Sequence, residues 1–248
     1  MLGGRHIRMT HPNNDMTSIT TKARLAGVLY VAMGIPAWFS LMYIPSAFIV
    51  RGDASATARN IASGQLLYRL GILSELVSQT IFLVLVLVLY DLFKDADRKQ
   101  ARLMVMLVGV SVAFEFANCL NLVAPLVLLS GADFLSVFSK QQLDALVMFF
   151  LKLRNSGLGV ISLVWGLWLL PFGVLVIKSG FFPKVLGILL IVAGFAYVGQ
   201  SVTSIVLPVP IHAVSTVALT LGGLGELAIV LWMIVVGAKE RPLEARLS

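Results

Sequence analysis

Six apolar segments constrain this chain more than any other feature. They lie at about 25–50, 70–93, 103–129, 155–177, 185–207 and 213–237, each some 23–27 residues long. An α-helix rises about 1.5 Å per residue and a bilayer core is about 30 Å thick, so each segment can cross lipid with modest tilt. No water meets the backbone there, and a helix satisfies its polar groups within the segment. Charge is correspondingly scarce: 58% of the 248 residues are apolar and 12% are charged, too few to cover a soluble domain of this size. The expected fold is an all-α integral membrane protein, a six-transmembrane-helix bundle in one domain over 22–238, between tails at 1–21 and 239–248. The first tail is polar, with no apolar run behind its charges to make a cleavable leader, and reads as disordered.

A net charge of +7 would suggest nucleic acid in a soluble protein, but here the basic residues track loop position. Arg5, Arg8, Lys22, Arg24, Lys94, Arg98, Lys99, Arg102, Lys178, Lys184, Lys239, Arg241 and Arg246 fall on one side, and Arg51, Arg59, Arg69, Lys140, Lys152 and Arg154 on the other. This bias predicts that the N and C termini are cytoplasmic, and it makes the lipid bilayer, not nucleic acid, the partner that the charge addresses. The single cysteine, Cys119, excludes an internal disulfide and reads as a small buried hydrophobe.

Two connections on the predicted outer side are more than loops. Residues 54–67 follow Gly52-Asp53 with good helix formers and read as a short interfacial helix, and 139–152 reads as an amphipathic lead-in running unbroken into the fourth span. The turns at 94–102 and 178–184 are tight and predict antiparallel hairpins. Pro36, Pro45 and Pro171 predict kinks or helix ends, and Gly109, Ala113 and Ala117 form a small-residue strip suited to close helix packing.

The run Trp165-Gly166-Leu167-Trp168-Leu169-Leu170-Pro171-Phe172-Gly173, followed by Ser179-Gly180-Phe181-Phe182-Pro183-Lys184-Val185-Leu186-Gly187, resembles the signature of a bacterial membrane family, domain of unknown function 4386. Arg24-Leu25-Ala26-Gly27, Gly52-Asp53-Ala54, Arg69-Leu70-Gly71-Ile72 and Leu129-Ser130-Gly131-Ala132-Asp133 look like the same family. The resemblance covers about 22–210. It implies a six-helix bundle in the cytoplasmic (inner) membrane and brings no activity with it.

The polar residues inside the spans then locate a candidate site. An ionisable group at the bilayer centre costs about 2.5–3.5 kcal/mol, so three bare carboxylates would together cost about 8–10 kcal/mol. Counted from the predicted cytoplasmic ends, Glu75 lies at about 25 Å and Glu115 and Glu226 at about 18 Å, with Asn118, Asn121 and Gln200 at about 22–27 Å. The inner half is almost purely apolar. Arg69 and Arg154, near the outer ends of their helices, are the expected ion-pair partners, while Lys152 is expected to snorkel to lipid phosphates. Two readings stand for Glu115, Asn118 and Asn121: a ligand site in an outward-open cavity, or interhelical hydrogen bonding that holds the bundle together. The matched depth of Glu115 and Glu226 favours a common pocket.

No HExxH, Gly-x-Ser-x-Gly, P-loop or dinucleotide glycine pattern is present, so no catalytic residue, metal site or cofactor is expected. The function expected is binding of a small molecule or lipid headgroup in a polar, carboxylate-lined cavity of the outer half, as a sensor or binding module. The alternative is a small-solute or proton-coupled transporter using Glu115 and Glu226, for which three spans per half with a glutamate on each third helix is the favouring feature. An acid–base enzyme built on the same pair lacks a supporting nucleophile or metal. Nothing in the sequence specifies an oligomeric state.

Overall fold

A computed structural model describes residues 12–207 and 212–238, and the described residues contain helices and no strands. The first span is built from three pieces: α1 (Pro12–Trp38), a π-helical turn (Phe39–Tyr43) and α2 (Ile44–Phe48). Then come α3 (Ala54–Ser63), α4 (Gln65–Phe93), α5 (Arg98–Leu128), a 3-10 turn (Asp133–Leu135), α6 (Lys140–Ser179), α7 (Lys184–Val206) and α8 (His212–Val235). Six of these elements are long and apolar enough to cross a membrane, and large side chains such as Ile35, Trp38, Met106, Phe195 and Leu224 point outward from them, as a lipid-facing surface requires.

The boundaries follow from local chemistry. Pro12, whose missing N–H costs nothing at a first helical position, opens α1, so residues 12–21 continue the first span's helix where the sequence suggested disorder. Residues 1–11 and 239–248 of the expected tails lie outside the described residues. Asp53 caps α3 by accepting from the Ala56 N–H, and Gly64 ends it. The expected helix over 54–67 is thus divided at Gly64, where a Cβ would meet the Phe48 ring, and α4 starts at once from Gln65. Ser139 and Gln142 form a capping box that starts α6, which runs unbroken through Pro171 to a left-handed Gly180 at φ 69°.

The spans form a closed ring in the order α1, α4, α5, α6, α7, α8 and back to α1. Thr20 donates to the Ala238 carbonyl at 3.2 Å, so the first and last spans end together on one face, here the terminal face; α3 covers the opposite one. The tightest pair is α6 with α7, because facing glycines let the backbones touch: a Cβ on Gly173 would lie 2.6 Å from the Gly187 carbonyl oxygen, and Gly166 meets Gly194 in the same way. The strip Gly109, Ala113, Ala117 does not pack as expected. Ala113 and Ala117 are exposed and nothing lies within 4 Å of a Cβ on Gly109, since the opposite face of α5, carrying Glu115 and Asn118, is the one turned inward.

Aromatic rings fill the interior toward the terminal face. Trp168 packs on Phe82 (5.2 Å between centroids), Phe172 (5.4 Å) and Tyr30 (6.4 Å), and Phe172 continues through Phe93 to Phe182. Leu85, Leu89, Met104, Leu175 and Leu190 close around this column. A second core, Phe48, Ile61, Tyr68, Val147 and Leu151, seats α3 on α4 and α6. Asp144, on the amphipathic lead-in, is buried there, accepting from Ser55 at 2.7 Å and Lys140 at 2.6 Å.

Candidate functional site

The polar residues of the spans gather in two clusters. The first is centred on Arg154 of α6, whose Nη1 lies 3.1 Å from Glu115 Oε2 and whose Nη2 lies 3.4 Å from Glu75 Oε2. All three side chains are almost fully excluded from the surface. Ser40, in the π-helical turn, donates to Glu75 at 2.5 Å, and Gln79 Nε2 donates to Glu75 Oε1 at 3.3 Å. A π turn spends an extra residue on one turn of helix and commonly marks a functional position; here it falls where Ser40 meets the carboxylate. On the other side Asn121 donates to Asn118, and Asn118 donates to the Arg154 carbonyl at 3.2 Å. Gly157 leaves the room Asn118 needs, because a Cβ there would overlap its carboxamide. Glu115 and Arg154 meet by charge proximity without a well-directed hydrogen bond, and Ser111 Oγ, Gln79 Oε1 and Glu115 Oε1 are buried without hydrogen-bond partners among the described residues. One cation therefore stands between two carboxyl groups in a nearly sealed site.

The second cluster is built on Glu226 of α8. It accepts hydrogen bonds from Tyr30 of α1 and, at 3.3 Å, from Tyr197 of α7. Gly222, one turn earlier, makes this possible: a Cβ there would run into the Tyr197 ring. Glu226 is only partly buried, and no ion pair reaches it among the described residues. It lines a half-open chamber of about 220 Å³ together with Tyr30, Ser78, Gln79, Phe82, Trp165, Trp168 and Tyr197. It also lines an apolar groove of about 370 Å³ between α1 and α8, with Gly34, Ile35, Trp38 and Leu227, that opens on the lipid-facing surface. Tyr30 and Glu226 form the partition between chamber and groove.

The structure thus joins Glu75, Glu115, Asn118, Asn121 and Arg154, and separates Glu226 from them. The single pocket expected for Glu115 and Glu226 is two sites: of the three glutamates, only Glu226 lines the chamber, and Gln79, which reaches Glu75, is the link between them. Arg69 does not pair with Glu75 as expected. Six residues apart on one helix they lie about 120° apart in azimuth, so Arg69 is exposed while Glu75 turns inward to Arg154. Gln200 joins neither cluster, and its carboxamide oxygen is buried without a hydrogen-bond partner among the described residues. Ser40, Tyr30, Tyr197 and Trp165 were not among the expected site residues. Tyrosines deep in apolar runs, away from the interfacial belt where they usually sit, were the available signal for Tyr30 and Tyr197.

A closed ring of six membrane-length helices with carboxylates in its interior defines a multi-pass membrane protein. The chain belongs to the family described as a domain of unknown function, DUF4386, whose family model matches residues 25–237. No curated protein and no solved structure matches the chain.

Proposed function

We propose that the protein is a binding module for a small organic cation, held in the chamber at Glu226. The observation that carries this reading is a partly accessible carboxylate with hydroxyl partners and, among the described residues, no cation partner, facing a chamber walled by Tyr30, Phe82, Trp165, Trp168 and Tyr197. Aromatic faces around a carboxylate suit an ammonium group, by ring electrostatics and by direct charge. The size of the chamber suits a compact solute, and the apolar groove between α1 and α8 supplies a lateral route from the membrane. The charge distribution supports placing the terminal face in the cytoplasm, so the Arg154 cluster lies toward the outer half and the chamber lies between it and the terminal face.

The test is intrinsic tryptophan fluorescence of the detergent-purified protein, titrated with choline and with its neutral isostere 3,3-dimethylbutanol. Choline is expected to quench saturably and at least about tenfold more tightly than the isostere, and Glu226→Gln removes that preference. Equal binding of the two probes, or a preference that survives Glu226→Gln, refutes the reading.

A second reading, proton-coupled transport, rests on the Arg154 cluster. Two carboxyl groups around one guanidinium can hold one proton at no net charge and release it, which is the property a coupling site needs. The aromatic column toward the terminal face stands against a static path through the ring, so transport would require the helices to rock.

A further inference from the structure

At the α3 face, outside both carboxylate clusters, a groove of about 570 Å³ separates the end of the first span from α6. Its rim is polar and cationic. Arg51, in the turn after α2, and Lys152 of α6 both line it, with Asn155 one helical turn from Lys152 and Ser46 on the α2 side. No aspartate or glutamate lines the groove, and neither cation belongs to an ion pair among the described residues. The acidic residues nearest in sequence are engaged elsewhere: Asp53 caps α3, and Asp144 binds Ser55 and Lys140. Below the rim the first-span wall is apolar, formed by Leu41, Met42 and Pro45; on α6, which runs inward from the α3 face, Met148 lies at the mouth outward of Lys152, and Leu151 and Asn155 lie beside and below it. The mouth lies where the apolar span gives way to Arg51 and Gly52, the depth of a lipid headgroup region.

We propose that this groove is a binding site for the headgroup phosphate of an anionic membrane lipid, with the phosphate between Arg51 and Lys152 and an acyl chain along the apolar wall. Two uncompensated cations above an apolar slot match the charge and the amphipathic layout of such a lipid. A soluble phosphate would use the rim alone and leave the slot unmatched. The groove shares one wall residue, Leu41, with the chamber at Glu226, whose charge preference is opposite. The π-helical turn gives it a link to the buried cluster: Leu41 lines the groove, and its neighbour Ser40 binds Glu75.

The experiment is native mass spectrometry of the full-length protein released from detergent after equilibration with an equal mixture of phosphatidylglycerol and phosphatidylcholine. The wild type is expected to retain one anionic lipid in preference to the zwitterionic one. A cation at the membrane surface contributes about a fivefold preference, so R51Q/K152Q is expected to lower retention about 25-fold. Arg51 and Lys152 are exposed, so folding is not at stake, and melting of the variant checks this. The control R59Q/R69Q removes two exposed cations of the same half that do not line the groove, and is expected to retain lipid as the wild type does. Undiminished retention by R51Q/K152Q overturns the proposal, as does an equal loss in the control. Displacement of the lipid by inorganic phosphate as readily as by added anionic lipid overturns the lipid assignment.

Discussion

Replacing Arg154 by glutamine removes the one cation that faces both Glu75 and Glu115. Its guanidinium nitrogens lie 3.1 and 3.4 Å from the two carboxylates, which puts the charge centres about 4 Å apart. At an effective dielectric near 20 each attraction is about 4 kcal/mol before desolvation. Much of that offsets the burial of the charges themselves, and removing one partner from a buried pair typically leaves a net cost of about 3–5 kcal/mol. For a protein of this length, that corresponds to a melting temperature lower by on the order of 10 °C. Glu115→Gln acts differently. It leaves Arg154 opposite Glu75 at matched charge and is expected to cost only about 1 kcal/mol, the scale of a polar contact between membrane helices. The chain carries its own probe for the measurement: Cys119 is its single cysteine and is buried, so a thiol-reactive fluorophore present during heating reports opening of the bundle. A melting curve for Arg154→Gln that overlays the wild type, or a loss for Glu115→Gln as large as that for Arg154→Gln, would refute the charge argument.

Two further outcomes can be checked, one by melting and one in cells. Lys178 donates to Asp97 at 2.7 Å and the Lys99 and Gln100 backbone amides donate to it at 3.1 Å, so Lys178 first and these amides with it hold the Asp97 carboxyl below the ordinary carboxylate range. With the folded value depressed, the stabilisation is complete above the unfolded value of about 4 and fades as the pH falls through the folded value. Lys178→Gln should therefore melt below the wild type at neutral pH, with the gap narrowing under about pH 4; a gap independent of pH would show that the pair contributes nothing. For orientation, a cysteine introduced at the exposed Ser136 should react with an impermeant thiol reagent in intact cells while one at Asp95 does not, and the reverse pattern would turn the protein over in the membrane.

Much of the architecture is legible in the residues alone. The six spans, the same-side ends of the membrane domain, the unbroken lead-in to α6 and the presence of three carboxylates at depth all follow from local quantities. Hydropathy adds along one segment and a helix satisfies its own backbone, so whether a stretch crosses lipid depends little on its neighbours. Capping is similarly local, as Asp53, Ser139 and Gly180 illustrate.

Pairing depends on azimuth and neighbourhood, which no single segment contains. That Glu75 turns to Arg154 and away from Arg69 depends on α4, α5 and α6 meeting in the ring and on the face each presents there. That Glu226 meets Tyr30 and Tyr197 instead of Glu115 depends on α8 closing the ring between α1 and α7, with Gly222 making room for Tyr197. Ser40 reaches Glu75 from within a π turn that no apolar periodicity announces. Residues at equal depth on different helices can share a pocket or be kept apart, and for Glu115 and Glu226 the order in which the helices pack is the reason they are separate.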